Sequence, residues 1–280
     1  MKRIFTLLIV ASTLLLFFSC EESPTPGIIE ISSNIDNAYI YIDEELLTDL
    51  SSATGAISAS ISPGNHEITA YKKGYDFQVV SMSITEGEIL PVTLTFTAVT
   101  AHLTNDFESE TVGAYIGFDS TDEISVINDG SNNFVRAESD GTTYWIVKTI
   151  YKNTLSNFVW EFDSLEYTGQ KFFFTVGGYT FCEGEEIIYY YDPQVSGDGE
   201  VMLSPIPFIP ITETNHRIVV LDNIVRYYRD NVFMGQFEDK YDCFDGIKDL
   251  YLGAEASSND GSIIQVHSYD LDNVYVYPSK

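Results

Sequence analysis

The residues best suited to chemistry are three acids in one short stretch, Glu161, Asp163 and Glu166. On a regular strand, successive side chains alternate between faces, so Glu161 and Asp163 share one face and Glu166 points to the other. A β-bulge at Ser164-Leu165 would return Glu166 to the first face. Two carboxyl groups about 5 Å apart can act as nucleophile and acid/base in glycoside hydrolysis. The stretch is therefore a candidate hydrolytic site that depends on the bulge.

The stretch WEFDSLE at 160–166 resembles the Glu-x-Asp-x-x-Glu signature of retaining β-glucanases, which have a jelly-roll fold. The resemblance implies that the three acids are catalytic, with the aspartate tuning the pair. Phe162 and Ser164 stand where that family has aliphatic residues. The alternation also fits a core-facing aromatic strand with acids on the solvent face, and this second interpretation is the one we favour.

A second candidate site is a structural calcium site. The sequence NDFE at 105–108 opens the long C-terminal part of the chain, and DLDN at 270–273 closes it. In many carbohydrate-binding sandwiches an early DFE and a late DNV meet and share a calcium ion, which prefers hard oxygen ligands. The resemblance implies Glu108 and Asp272 as ligands. The alternative is that both are solvated acids at strand ends.

Tyrosines form a third candidate site. The runs 187–191 and 224–229 are predicted strands, and sugar-binding sandwiches stack pyranose rings on aromatic side chains that have a polar tip. Tyrosines at strand spacing also form core contacts or cross-strand pairs. The candidates for glycan binding are Tyr189, Tyr191, Tyr227 and Tyr228.

The elements that must position these residues are β-strands. Period-2 alternation bounded by Gly, Pro, Asn and Asp dominates the chain, and one face of each sheet must be covered, so the pattern predicts sandwiches. Residues 28–97 form a first predicted unit, in which Val80, Met82 and Ile84 share a buried face. Its predicted strands are 28–33, 38–43, 56–61, 65–72, 77–84 and 90–97.

This first unit resembles a PEGA domain, a small β-sandwich common in bacterial surface proteins. The resemblance covers the stretches NAYIYID and SPGNHEITAYKKGY. Asn37 and Glu44 stand where that family has glycine. The family implies no catalytic role, and we interpret His66 as a packing or turn residue. The matching residues are Pro63, Gly64, His66, Lys72, Gly74 and Tyr75.

Residues 104–278 form the second predicted unit. Asp222-Asn223 and Asp230-Asn231 are two-residue hairpin signals, because Asn and Asp tolerate positive φ. Together with the closing stretch DLDNVYVYP, this region resembles laminin-G-like or concanavalin A-like jelly rolls, although Asn215 and Asn231 replace the usual Trp and Gly. The strands packed here are predicted at 216–221, 224–229 and 232–237.

The N-terminus has the pattern of an export signal. Lys2 and Arg3 precede an uncharged, mostly apolar run at 4–18, which is shorter than the roughly 20 residues of a transmembrane helix. The run ends at Ser19-Cys20, which resembles the lipobox of bacterial lipoproteins. The resemblance implies cleavage after residue 19 and a diacylglycerol on Cys20.

Residues 20–27 are a short, polar, Pro-rich tether. The acids Glu21 and Glu22 after the cysteine resemble a surface-display signal in one group of Gram-negative lipoproteins. The expected location is the cell envelope, anchored by lipid, with the outer membrane favoured. The outer surface and the periplasmic face stay open as alternatives.

Charge and cysteines set further bounds. After removal of residues 1–19 the chain has 12 basic and 42 acidic residues, a net charge of −30. It should therefore bind neither nucleic acid phosphates nor anionic membranes through charge. In an oxidising compartment Cys182 and Cys243 can form a disulfide, and two separate thiols are the alternative.

The sequence therefore predicts an all-β fold, a small PEGA-like sandwich followed by a concanavalin A-like jelly roll. We expect an envelope lipoprotein that binds a glycan or another envelope component without catalysis. The alternatives are a retaining β-glycan hydrolase and a purely structural or assembly protein. No cofactor is required, and calcium is the one candidate metal.

Overall fold

The computed structural model describes the chain as strands joined by turns. No described residue belongs to a helix, so the described part contains no helical segment able to cross a membrane. The predicted all-β fold, a small sandwich followed by a larger jelly-roll sandwich, is confirmed. The described residues are 23–49, 56–109, 123–138, 145–168, 171–176, 179–183, 188–191, 200–204, 214–239, 243, 248–255 and 268–279.

Seven strands build the first sandwich. One sheet has the order β4-β1-β7 and the other β3-β2-β5-β6, and apolar residues on alternate positions fill the space between them. Strands β1 and β7 run parallel, whereas every other pair in these two sheets is antiparallel. The strands are β1 Gly27–Ser33, β2 Tyr39–Ile42, β3 Glu45–Asp49, β4 Ala56–Ile61, β5 Gly64–Tyr71, β6 Gln78–Ile84 and β7 Ile89–Leu94.

The remaining strands build the second sandwich from two antiparallel sheets. The eight-stranded sheet has the order β19-β18-β17-β12-β21-β10-β9 with β8 paired to β21, and the six-stranded sheet has the order β11-β20-β13-β14-β15-β16. The strands are β8 Leu103–Asn105, β9 Glu123–Asn128, β10 Asn133–Glu138, β11 Trp145–Asn153, β12 Phe158–Thr168, β13 Lys171–Val176, β14 Tyr179–Glu183, β15 Ile188–Tyr191, β16 Glu200–Ser204, β17 Thr214–Leu221, β18 Ile224–Arg229, β19 Val232–Glu238, β20 Lys248–Glu255 and β21 Ser268–Pro278.

The four sheets stack as successive layers. The four-stranded sheet of the first sandwich packs its inner face on the three-stranded sheet and its outer face on the eight-stranded sheet of the second. The eight-stranded sheet packs its other face on the six-stranded sheet, with Trp160 at the centre of that core. Both middle sheets are therefore covered on both faces, which requires apolar residues on both sides of their strands.

Turn chemistry explains which hairpins the sequence revealed. Asp222-Asn223 and Asp230-Asn231 have positive φ at both positions, as the hairpin prediction requires. The hairpin between β2 and β3 also has positive φ at Asp43 (49°) and Glu44 (73°), although glutamate is rarely found in this region. Because Glu44 is not a turn residue, strand β3 was not predicted from the sequence.

Hydrogen bonds hold the join between the sandwiches. Val99 N donates to Gly74 O at 3.0 Å in the first sandwich, and His102 N donates to Val276 O at 2.7 Å in the second. The join between the two units, residues 98–103, therefore follows a fixed path.

His66 ties two turns of the first sandwich together. Its Nδ1 lies 2.5 Å from Asp43 Oδ2, and its Nε2 lies 2.8 Å from Ser62 O. Both neighbours are acceptors, so both ring nitrogens donate only when the imidazole is protonated. The hydrogen bond to Asp43 raises the pKa of His66, and the bond to Ser62 adds to this.

We predict that His66 stabilises the fold more at low pH than at high pH. A raised pKa gives a contribution that is complete below the unfolded value of 6.5 and is lost as pH rises through the folded pKa. Replacing His66→Gln should therefore lower the melting temperature more at pH 5.5 than at pH 8.5, roughly one unit below and two above that value. The exposed His102→Gln is the control, and an equal effect of His66→Gln at both pH values would contradict the assignment.

Candidate functional site at the interface of the two sandwiches

The most unusual polar residue at the interface is Arg217, which is 1% exposed. Strand β17 directs it away from the core of the second sandwich and into the first. Its Nη2 donates to Tyr41 Oη at 2.8 Å, and its Nη1 donates to Asn231 Oδ1 at 2.7 Å. The guanidinium carbon lies 3.9 Å from the ring centroid of Tyr71 and 4.4 Å from that of Tyr228. These ring faces and acceptors compensate a cation that has left water.

Glu161, one of the three predicted catalytic acids, lies at the same interface. It is 6% exposed, and the Tyr71 hydroxyl donates to its Oε2. Asn215 Nδ2 donates to its Oε1 at 3.2 Å, and Lys73 Nζ lies 3.7 Å from the same oxygen. Both carboxylate oxygens are therefore engaged, and two of the three partners belong to the first sandwich.

The hydroxyl of Tyr71 remains the donor in this contact. Burial, and then the neighbouring charge of Glu161, raise the pKa of Tyr71 far above its usual range. Lys73 of the first sandwich also contacts an aromatic ring of the second, because its ammonium lies 3.5 Å from the ring centroid of Tyr275. The ammonium of Lys73 is thus attracted both to the ring face of Tyr275 and to the carboxylate of Glu161.

A second ion pair crosses the interface. Arg226, which is 5% exposed on β18, donates through Nη2 to Glu67 Oε1 at 3.0 Å. The eight-stranded sheet thus contributes two arginines to the interface. The first sandwich contributes the tyrosines that contact Arg217 and the glutamate that pairs with Arg226. The rest of the contact is apolar, with Phe77, Val219 and Tyr277 among its buried members.

Asp163, the second predicted acid, begins a chain of alternating carboxylates and amides. Asn215 Nδ2 donates to Asp163 Oδ1 at 2.8 Å and Asn273 Nδ2 to its Oδ2 at 2.9 Å. Asn132 Nδ2 donates at 2.8 Å to Asp272 Oδ2, which Asn273 also reaches at 3.2 Å. Desolvation raises the pKa of both Asp163 and Asp272 despite these bonds. The amide of Asn215 separates Glu161 from Asp163, and the amide of Asn273 separates Asp163 from Asp272.

Of the two predicted calcium ligands, Asp272 belongs to this network of carboxylates and amides and Glu108 lies near it. Both accept hydrogen bonds from protein donors. Glu108 Oε1 accepts from Asn133 N at 3.0 Å, and Asp272 accepts from the two amides above. Within the described ranges, no group of three His, Cys, Asp or Glu side chains is arranged to hold a metal ion. Calcium at Glu108 and Asp272 stays a prediction.

The backbone between Ser164 and Tyr167 contains the irregularity that the hydrolytic interpretation needs. Strand β12 advances three residues there while its partner β21 advances two, from Leu271 to Tyr269. One extra residue on β12 is the signature of a β-bulge. The side chain of the third acid, Glu166, lies outside the described residues, so its direction and the catalytic role of the three acids stay predictions.

Residues on the opposite face of β12 lie in the core. Phe158, Trp160 and Phe162 are fully buried, which confirms the predicted aromatic core face. The predicted solvent face of the strand is wrong, because the first sandwich covers it and Glu161 is buried there. Ser164 follows them and its Oγ lies 2.8 Å from His216 Nε2, while His216 Nδ1 lies 2.8 Å from Tyr227 Oη. This serine and histidine are sealed between sheets, so they form a structural network.

Two of the four candidate glycan-binding tyrosines have no accessible ring. Tyr227 is fully buried between the sheets of the second sandwich, and Tyr228 is 1% exposed at the interface, where burial raises its pKa to about 12. Neither can stack on a sugar in this arrangement, which corrects that part of the prediction. Tyr189 and Tyr191 lie on β15, and their side chains are outside the described residues.

The two cysteines predicted to pair lie in the second sandwich. Cys243 packs against the core, near Tyr179. Cys182 lies on β14, and its side chain is outside the described residues. The disulfide therefore stays a prediction.

The interface residues Tyr39, Tyr41, Tyr71 and Arg217 were not predicted as a site. The signal was present in β2, whose sequence YIYI is apolar at both parities, whereas an exposed sheet face would show polar residues at every second position. Arg217 and Arg226 lie on the same face of the adjacent strands β17 and β18, where their register partners are Tyr228 and Val219, which also indicates a covered face.

Comparison with known proteins gives distant similarities. No family profile matches the chain, and no curated protein matches it. Similar solved structures include a sialidase (10% identity, TM-score 0.45, covering 76% of this chain and 21% of that one). Others are the endo-β-1,3(4)-glucanase SCLam from family GH16 (10%, 0.44, 66% and 94%) and the carbohydrate-binding module CBM66 from Bacillus subtilis (9%, 0.37, 51% and 86%). The chain spans about a fifth of the sialidase, and likenesses this low carry no argument about activity.

We predict that Arg217 is essential for stability. Arg217→Ala should lower the free energy of unfolding by about 3 kcal/mol or more, because it leaves buried polar partners without their cation. Arg217→Lys keeps the charge but loses the two-pronged geometry, so its loss should be smaller. Urea denaturation measures both, and a loss below about 1 kcal/mol for Arg217→Ala, typical of a surface site, would contradict the prediction.

We predict that His216 makes the fold sensitive to acid. Burial, and then the charge of Arg229, lower the pKa of His216 to about 3. Its stabilising contribution is complete above the unfolded pKa of 6.5 and is lost as pH falls towards 3. Between pH 7 and pH 5 the wild type should lose about 2 kcal/mol more than His216→Gln. Denaturant titrations at both pH values measure this difference, and equal slopes for the two proteins would refute it.

Proposed function

We propose that this protein is a non-enzymatic envelope lipoprotein, anchored through lipid on Cys20, that binds a glycan or another envelope component. The observation that carries the non-enzymatic part is the position of Glu161 beneath the first sandwich. A retaining hydrolase needs both carboxyl groups in contact with the sugar. Glu161 is 6% exposed and already bonded to Tyr71 and Asn215, so the acid that such a reaction requires serves as an interface contact.

We place the ligand on the outer side of the six-stranded sheet, the side of the second sandwich that is away from the first. The first sandwich packs on the eight-stranded sheet, at the opposite side of the second sandwich. In the six-stranded sheet Phe181 lies in the core and its register partner is Tyr190. The candidate residues Tyr189 and Tyr191 belong to strand β15 of this sheet, one position to either side of Tyr190. Two tyrosines at such spacing suit the apolar face of a sugar ring.

Binding to a polysaccharide array tests this proposal. We predict that the soluble chain, residues 23–280, is retained on at least one neutral or basic polysaccharide, because a strongly acidic chain repels acidic ones. The variant Tyr189→Ser/Tyr191→Ser should lose retention without a change in melting temperature. Tyr75→Ser, in the first sandwich, is the matched control and should be retained. Loss of retention in the control alone would place the glycan site in the first sandwich and overturn the site on β15. No retention of wild type would reject glycan binding and leave an assembly role.

The bulge in β12 supports a second candidate function, glycan hydrolysis by Glu161, Asp163 and Glu166. The hydrolase hypothesis requires the first sandwich to separate from the second, so that Glu161 can contact the substrate. The same array, assayed for released reducing ends, discriminates the two. Product from wild type but not from Glu161→Gln would favour the hydrolase. No product from either is what the binding proposal expects.

A further inference from the structure

The chain before β1 is fastened to the turn between β6 and β7. Thr25 N donates to Glu86 Oε1 at 2.8 Å, and Gly87 N donates to Thr25 O at 3.3 Å. Two residues later Gly27 packs so tightly that an added Cβ would lie 2.5 Å from Ile84 Cδ1. The N-terminal segment therefore enters the first sandwich at a fixed point, which begins at Thr25.

An apolar patch lies beside this entry point. Ile28 on β1 and Ile89 on β7 are register partners in the parallel pair, and both point outward from the three-stranded sheet. Ile89 is 58% exposed and Ile28 is 38% exposed. The described part of the chain has four exposed large hydrophobic residues, and these two are adjacent. Pro91 lies on the same face, beside the exposed Glu30, which is its register partner. Single exposed apolar residues are ordinary, whereas neighbouring ones beside an anchor indicate a contact surface.

The opposite end of the first sandwich faces away from the entry point. Strand β6 runs from Gln78 to Ile84, so its two ends are separated by roughly 20 Å. The turn at Lys73-Gly74 and the join near Thr100 lie at the far end, because Val99 binds Gly74 there. A sandwich held at the β6–β7 turn therefore directs the join away from the anchor.

We propose that the Ile28–Ile89–Pro91 patch is the surface of this protein that rests on the lipid bilayer; the inference builds on the lipid anchor at Cys20 in the proposed function. The five residues from Cys20 to Thr25 reach at most about 18 Å. The patch is held within that distance of the headgroups, where apolar side chains enter the boundary between headgroups and acyl chains. The acids Glu30, Glu86 and Glu88 around the patch make a zwitterionic surface the suitable partner.

Depth-dependent fluorescence quenching tests the orientation. The full chain is produced with its own signal and reconstituted into phosphatidylcholine vesicles with or without bromine atoms high on the acyl chains. An introduced tryptophan at Ile89→Trp should lose emission roughly twofold in the brominated vesicles, because it enters the boundary region. Ile28→Trp is a second probe of the same patch. Thr100→Trp, at the far end, should be unaffected, as should the two native tryptophans.

A lengthened tether supplies the geometric control. About ten Gly-Ser residues inserted between Glu22 and Ser23 add roughly 17 Å of average reach. The insertion should reduce quenching at Ile89→Trp while the protein still floats with vesicles. Undiminished quenching would mean that the patch binds lipid without help from the short tether, and it would overturn this account of how the surface is positioned.

Separate readouts distinguish failure of the anchor from failure of the orientation. Absence of labelled palmitate on wild type, or labelling that survives Cys20→Ala, would reject the lipid anchor itself. Labelled protein that floats with vesicles, but shows no quenching at either patch probe, would overturn the inference alone. Quenching at Thr100→Trp instead would show the reverse orientation. Concentration-dependent dimers that protect the patch probes would assign the patch to a second copy of the chain and also overturn it.

Discussion

The arrangement of this protein depends on the burial of one cation, Arg217, between two sandwiches. Removing a guanidinium from water is costly unless hydrogen bonds and nearby electron-rich groups replace the solvent. Here Asn231 and Tyr228 come from the same sandwich as Arg217, whereas Tyr41 and Tyr71 come from the other. Each sandwich supplies two of these four groups. The guanidinium therefore has replacements for its water contacts only when the two sandwiches are packed together.

This requirement explains why the outer face of the eight-stranded sheet is unlike the surface of a free sandwich. Its strands carry Val159, Val219 and Tyr277 where polar residues would otherwise meet water. Glu161 is an acid on this face, and the hydroxyl of Tyr71 in the first sandwich donates a hydrogen bond to it. The first sandwich thus covers this face of the second, and Glu161, one residue of the stretch that resembles a catalytic signature, bonds to that cover.

The sequence predicted the individual strands better than the way they stack. Local signals, such as the Asp-Asn turns and the alternation of Val80, Met82 and Ile84, depend on neighbours in the chain and identify strands and hairpins. The contact between Arg217 and Tyr41 joins residues 176 positions apart, and no local pattern encodes it. Only the apolar character of β2 at both parities hinted that its outer face is covered. Strand β3 was missed for a local reason. Glu44, in the turn before it, has a positive φ that is rare for glutamate, so the sequence carries no turn signal there.

The parallel pairing of β1 and β7 has a mechanical consequence. In a parallel pair the start of one strand lies beside the start of the other, so the N-terminal end of β1 and the C-terminal end of β7 lie at opposite ends of the ladder. If the chain is held at its N-terminus and pulled through its second sandwich, the load enters at Gly27 and leaves beyond Leu94. That load slides the two strands along each other. All hydrogen bonds of the pair then share the force at once, whereas an antiparallel hairpin pulled at its open end would yield them one after another.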